Sequence, residues 1–181
     1  MAIGNNLTSS FVDFIRRQKL FFVATAAADG SVNLSPKGLD SLRVLSPTRL
    51  VWINLSGSGN ETAAHLRQLN RMTLMFCAFE AEPLILRVYG RAEVLHPRDR
   101  GWNELTGLFP AMAGSRQIFD VAVERVQTSC GSGVPVMKFA AQRGESELLP
   151  FYEDMGPDGV RDYWARKNRM SIDGFDTGTV E

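Results

Sequence analysis

Cysteine and histidine are scarce in this sequence of 181 residues, which contains two of each. Cys77 and Cys130 stand far apart, and no CxxC or Cys/His cluster is present, so we expect neither a disulfide framework nor a metal site. The sequence also lacks HExxH, GxSxG, P-loop and GxGxxG patterns. If the protein performs chemistry, we expect a bound cofactor to supply it.

Net charge and long apolar runs are lacking as well. The 20 basic and 20 acidic side chains cancel, so no general field favours nucleic acid or an anionic membrane as a partner, and any anion site must be local. No apolar run reaches the roughly 18 residues that a membrane helix requires. The first residues do not show the basic and then apolar segments of a secretory signal. We therefore expect a cytoplasmic protein.

The composition that is present is typical of a folded domain. Hydrophobic residues make up 44% of the chain, an ordinary fraction for a globular protein. A length of 181 residues suits one core and leaves little room for a second. We therefore predict a single domain over residues 1–181, with C-terminal helices from about residue 145.

Alternation of apolar residues and turn signals predicts about six strands. Asp29-Gly30 is a strong hairpin turn between strands at 20–26 and 31–36. Further strands are predicted at 49–55, 72–79, 84–94 and 118–130, with Gly90 as a bulge or a close backbone approach. Helices are predicted at 9–19, from Ser58 to Asn70, from Pro97, and on both sides of Gly156 at 145–155 and 157–169. The short connections favour an antiparallel α+β fold, a small barrel with helices over its openings.

Two segments concentrate polar residues beside strand ends. Lys37 follows the second predicted strand, and Asn54 ends the third. Ser58, Asn60 and Thr62 then crowd a helix N-terminus, where free amides, hydroxyls and a nearby lysine could bind an anion. The alternative is that these are only turn and cap residues, with Ser58-Gly59-Asn60-Glu61 forming a capping box. In that arrangement the Glu61 carboxylate would compete with a phosphate for the same amides.

The order of these elements resembles the pyridoxamine 5′-phosphate oxidase-like family of FMN-binding split barrels. The segments that carry the resemblance are the hairpin, LSPKG, VWINL, GNETAAHL, RMTLMFCAF and LILRVYGRAEV. The later QTSCGSGVP and KNRMSIDGF look like one branch of that family. The resemblance covers roughly residues 10–175 and is strongest over 20–95.

The resemblance implies a split barrel that binds FMN at the interface of a homodimer and acts on a small-molecule substrate. Lys37 occupies the place of the family's phosphate-binding basic residue, and the third strand and the next helix start add polar contacts. The cofactor-binding residues that the resemblance implies are Ser35, Pro36, Lys37, Gly38, Asn54, Asn60, Thr62, Gln127 and Ser129.

The chain also departs from true pyridoxamine phosphate oxidases. It has Glu61-Thr62 where they carry two basic residues, and its tail has no Arg-x-His motif. We therefore do not expect pyridoxamine phosphate to be the substrate. Three functions stay open: a flavin-dependent oxidoreductase, a non-catalytic flavin or cofactor carrier, and a barrel in which Glu61 blocks the anion site.

Overall fold

Eight β-strands form one antiparallel sheet in a computed structural model, which describes residues 2–180. The strands are β1 (Ile3–Gly4), β2 (Phe21–Thr25), β3 (Asn33–Lys37), β4 (Leu42–Ser46), β5 (Arg49–Leu55), β6 (Met72–Cys77), β7 (Leu84–Leu95) and β8 (Ser115–Cys130). They are arranged in the order β3-β2-β6-β7-β8-β5-β4, and β1 pairs with β8. The predicted hairpin and the four later strands are confirmed, whereas the predicted number of six is too low because β1 and β4 are short.

The connection from β3 to β4 forces the sheet to curl. These two strands form the opposite ends of the strand order, yet only residues 38–41 separate them. An extended chain from Lys37 to Leu42 reaches at most about 18 Å, whereas seven flat strands would place their outer members about 29 Å apart. No ladder joins β3 to β4 within residues 2–180, so the result is a split barrel. The predicted antiparallel α+β barrel is therefore confirmed.

The barrel interior and a second layer together bury β5 on both faces. Trp52 stacks on Phe119 inside the barrel, with 4.2 Å between ring centroids. Val51 and Ile53 point the other way and pack with Leu105 of helix α3 (Trp102–Thr106). A strand with one solvent-exposed face would alternate polar and apolar residues. Burial of both faces therefore explains the nearly continuous apolar run of β5.

The other helices lie before, between and after the strands. They are α1 (Ser9–Arg17), α2 (Glu61–Gln68), a π-helical turn at Gly144–Leu148 and α4 (Leu149–Lys167). Thr8 caps α1 and accepts a bond from the Phe11 amide, so the helix begins at Ser9, where the sequence predicts its start. Within α4 the backbone breaks at Gly156, whose φ is 69°, as predicted. Among residues 2–180, no helix combines the length and apolar character needed to cross a membrane.

Gly90 has less space for a side chain than any other glycine in residues 2–180. The β7–β8 register shifts between Tyr89 and Gly90, so the predicted bulge is present. A Cβ atom at position 90 would lie 2.1 Å from the carbonyl oxygen of Ala122 and 3.1 Å from Val121 Cγ1. The first of these distances is far shorter than real Cβ contacts, so only glycine permits β7 to approach β8 here.

Candidate functional site

A cavity of about 470 Å³ opens beside the split in the barrel. The end of β3, the end of β5, the loop before α2 and the C-terminal segment at 142–148 line it. Seven of the nine residues implied by the resemblance lie in its wall: Ser35, Pro36, Lys37, Gly38, Asn54, Asn60 and Thr62. The strand-end residues thus converge in space, although whether they bind a cofactor stays a prediction.

Lys37 is one of three cationic residues in the cavity wall, together with the buried Arg116 and the exposed Arg143, which pairs with Glu147. Its Nζ donates a hydrogen bond to Asn54 Oδ1 at 3.1 Å and lies 5.6 Å from the centre of the Trp52 ring. Burial and the neighbouring charge of Arg116 lower the pKa of Lys37 from 10.5 to about 8. Lys37 therefore stays mostly protonated at pH 7, and a bound anion would favour its charged form further.

Arg116 is the second cation, and the sequence analysis does not find it. The residue is only 2% exposed; its Nε donates to Gln117 Oε1 and its Nη1 donates to the Gly59 carbonyl, both at 3.2 Å. No carboxylate within residues 2–180 forms an ion pair with it, and burial lowers its pKa to about 10. The predicted strand begins at Ile118, which leaves Arg116 in a loop instead of on β8. A buried guanidinium without a counter-ion is expensive unless a ligand supplies the negative charge.

A buried chain of amides and hydroxyls fixes the polar wall of the cavity. Asn54 Nδ2 donates to Gln117 Oε1 at 3.3 Å, and Gln117 Nε2 donates to Thr179 Oγ1 at 2.9 Å. Asn60 Nδ2 donates to the same hydroxyl at 2.6 Å. Two buried oxygens of the wall have no partner within residues 2–180, Ser35 Oγ and Asn60 Oδ1. Such atoms are rare in folded proteins and suit a ligand that completes their bonding.

The predicted capping box is wrong. The N-cap of α2 is Asn60, and no side chain caps the helix amides. Both oxygens of Glu61 instead accept from the Ile172 amide, at 3.1 and 3.2 Å. A local pattern could not show this, because the amide comes from the turn that the Met170–Asp176 bridge closes. Glu61 therefore makes no capping bond to the first amides of α2, although it lines the cavity.

Gln127 and Ser129 lie elsewhere, near the end of β8. Tyr89 donates its hydroxyl proton to Gln127 Oε1 at 2.7 Å, and Arg87 Nη1 donates to Ser129 Oγ at 2.9 Å. Neither residue lines the cavity of its own chain. The structure thus separates them from the other seven residues, and their role as cofactor ligands stays a prediction.

The C-terminal part of the chain closes one side of the cavity, which the sequence analysis does not predict either. Gln142 and Leu148 line the cavity, and Gln142 Nε2 donates to the Lys19 carbonyl at 3.1 Å. Trp164 Nε1 donates to Ser56 Oγ at 2.6 Å, and Asn168 Nδ2 donates to the Gly57 carbonyl at 2.8 Å. The last two bonds attach α4 and its C-cap to the loop between β5 and α2.

Two solved structures share this fold. The H111A variant of HupZ from Group A Streptococcus superposes with a TM-score of 0.55 at 21% identity, covering 68% of this chain and 99% of that chain. A putative pyridoxamine 5′-phosphate oxidase from Lactobacillus delbrueckii gives a TM-score of 0.54 at 21% identity, covering 68% of this chain and 95% of that chain. At these identities the likeness shows the fold alone.

Sequence comparison adds a family match and a relative of higher identity than these two structures. The family described as pyridoxamine 5′-phosphate oxidase matches residues 7–130. The pyridoxamine 5′-phosphate oxidase family protein ustO of Aspergillus flavus is 37% identical over 187 residues, which span 94% of this chain and 75% of that protein. The match includes the β3 and β5 ends and Arg116, which form the cavity wall. The chain therefore belongs to the pyridoxamine 5′-phosphate oxidase family.

Proposed function

We propose that the cavity binds FMN and that the protein is a flavin-dependent oxidoreductase acting on a small-molecule substrate. The observation that carries the proposal is the pair of cations, Lys37 and Arg116, in one cavity wall without a carboxylate partner among residues 2–180. Family membership supports the choice of a flavin phosphate as the missing anion.

The residues present fit a phosphate group. Lys37 offers a flexible charged donor, and Arg116 a rigid one, which are the two side chains best suited to phosphate oxygens. The unpartnered Ser35 Oγ can donate a further bond. The cavity of about 470 Å³ falls within the range of about 300–1,000 Å³ that is usual for small-molecule sites.

The side chains around the cavity have binding and positioning roles in this proposal. Asn54 accepts from Lys37 and bonds to Gln117, so it holds the lysine over the cavity. Leu148 and the 142–144 segment line the cavity on the C-terminal side. Bound FMN would supply the redox chemistry by passing electrons between a reductant and the substrate.

A homodimer is part of the same proposal. Gln127 and Ser129 do not line the cavity of their own chain, so contact with the same cofactor would have to come from a second copy. Val32, just before the edge strand β3, is 76% exposed, and Leu34 on that strand is 62% exposed. These two side chains offer apolar surface for association. The mass of the purified protein in solution, measured by light scattering, tests this point.

Three measurements test the proposed function. Purified protein should be yellow or should quench FMN fluorescence on titration, and it should oxidise NAD(P)H with oxygen or a dye far faster than free FMN does. A colourless protein that leaves FMN fluorescence unchanged would overturn the proposal. Saturable FMN binding without turnover would instead support the non-catalytic carrier.

Replacing Lys37 with alanine should weaken FMN binding at least about tenfold, or about 1.4 kcal/mol, because the variant loses one of two phosphate-binding charges. Fluorescence titration measures the dissociation constant. Lys19→Ala is the matched control, since Lys19 carries the same charge but lies outside the cavity wall. An unchanged constant for the Lys37 variant would show that this lysine is not the anchor.

FMN affinity should fall as pH rises above about 8. The pKa of Lys37 is lowered to about 8 in the ligand-free protein, and a phosphate dianion favours the protonated amine. Below that pH the proton is already in place, whereas above it binding must take up a proton, which weakens affinity by up to about tenfold per pH unit. Titrations at pH 7, 8 and 9 measure the effect. Lys37→Arg stays charged throughout and should give a flat profile.

A further inference from the structure

A second group of side chains lies at the outer end of α2. One carboxylate oxygen of Glu61, one ring nitrogen of His65 and one carboxylate oxygen of Asp173 all lie within 4.8 Å of one another. We propose that these three residues bind a divalent transition-metal ion, with Zn²⁺ or Mn²⁺ as the class of ligand. Local sequence patterns do not indicate this site, because Asp173 is far along the chain from Glu61 and His65.

His65 supplies the observation that separates this group from an ordinary acidic cluster. The side chain is 1% exposed, and its Nε2 has no hydrogen-bond partner within residues 2–180. Its Nδ1 lies 3.1 Å from Thr25 Oγ1. When Nδ1 carries the proton and donates it to Thr25, the lone pair of Nε2 is available for a metal, which is the usual arrangement of a metal-binding histidine. A buried nitrogen left without any partner is otherwise costly.

The two carboxylates come from different parts of the chain, yet both are held in place. Glu61 and His65 are four residues apart on α2, so they lie on the same helix face. The Ile172 amide bonds to Glu61, and the amide and hydroxyl of Ser31 bond to Asp173 at 2.8 and 3.1 Å. A carboxylate has about four acceptor positions, so each can bind a metal and keep these bonds.

The donor set indicates the class of metal. One imidazole and two carboxylates suit Zn²⁺, Mn²⁺ or Fe²⁺, whereas Ca²⁺ and Mg²⁺ prefer sites made of oxygen alone. Ligands about 2.1 Å from one ion lie about 3.0 to 3.5 Å apart, so side-chain movement of about 1 Å brings the group into coordination. The two carboxylate charges would balance the ion.

A bound ion would connect three segments that are distant in sequence. Glu61 and His65 belong to α2, Asp173 belongs to the C-terminal turn, and Ser31 connects that turn to the β2–β3 hairpin. Since Glu61 also lines the cavity, the ion would tie the C-terminal segment to the cavity wall. The inference does not rest on FMN binding, because none of its three ligands is a phosphate-binding residue in the proposed function.

Calorimetric titration of tag-free, EDTA-treated protein with ZnCl₂, MnCl₂ and CaCl₂ tests the site. We expect one equivalent of Zn²⁺ or Mn²⁺ to bind, with Ca²⁺ at least about tenfold weaker. Zn²⁺ or Mn²⁺ at about a hundred times its dissociation constant should raise Tm by about 5 °C or more. Absence of saturable Zn²⁺ and Mn²⁺ binding would overturn the proposal.

Two variants locate the ion. Asp173→Asn and His65→Asn should each weaken metal binding at least about tenfold. The His65→Asn change keeps a polar group near Thr25 and removes Nε2. If this variant of a buried residue does not fold, Asp173→Asn alone provides the test. Glu153→Gln, an exposed change on α4, is the control and should bind as wild type does. Wild-type affinity in both site variants would show that the metal binds elsewhere.

Discussion

Replacing Arg116 with glutamine is expected to weaken FMN binding at least about 100-fold, equivalent to about 2.7 kcal/mol. Arg116 is the most buried cation of the cavity wall and has no acidic partner in the described chain. A charged hydrogen bond in such surroundings is stronger than one at the surface, because little water screens it. Loss of a buried charged donor typically costs about 2–5 kcal/mol of binding. The Arg116 variant should therefore lose more affinity than the Lys37 variant.

The same variant should stay folded, which separates loss of binding from loss of structure. Glutamine removes a buried charge that has no counter-ion, which stabilises the folded protein. This stabilisation offsets the loss of the hydrogen bonds to Gly59 and Gln117. We expect the ligand-free variant to unfold at the wild-type temperature or above it. Arg91→Gln is the control, because Arg91 is exposed and pairs with Glu124 on the barrel exterior. If Arg116→Gln binds FMN as wild type does, the buried arginine has only a structural role.

The Gly90→Ala variant is expected to lose about 3 kcal/mol or more of its free energy of unfolding. The added methyl group would stand 2.1 Å from the Ala122 carbonyl oxygen, which is backbone and cannot rotate away. Relief requires β7 and β8 to separate, and these are the longest strands of the barrel. In a chain of this size, the change corresponds to a decrease in Tm of about 10 °C.

Thermal unfolding followed by circular dichroism measures this effect. Gly133→Ala provides the matched control, because a Cβ atom at position 133 meets nothing within 4 Å. We expect the control variant to unfold at a temperature close to that of wild type. If the Gly90→Ala protein is as stable as the control, the two strands can separate at the bulge without loss of stability.

Local patterns predict the barrel well where one stretch of sequence determines the structure. Asp29-Gly30 fixes a hairpin, and the apolar run of β5 fixes a buried strand, so both can be placed without a partner. Strand β4 escapes prediction because it has only five residues, none of them fully buried. Only Leu42 and Val44 pack against the barrel core, which leaves a weak alternation. Gly90 is predictable because glycine weakens the interior of a strand and occurs there chiefly at bulges and close approaches.

The site is less predictable because its parts meet only after folding. Lys37 and Asn54 can be assigned to one region because each lies at the end of a strand and the family resemblance implies that both contact the cofactor. The β5–β8 register pairs Asn54 with Gln117, and this pairing brings Arg116, which precedes Gln117, to the site. Glu61 binds an amide 111 positions away, so the local capping pattern is misleading.

The split between β3 and β4 has a kinetic consequence. The end of β3 and the connection to β4 line the cavity, and no backbone ladder joins these two strands within residues 2–180. Widening the split would therefore break no sheet ladder and would leave the existing strand pairings intact. We expect exchange of the proposed FMN ligand to require only a local opening at this split and not the global unfolding of the barrel.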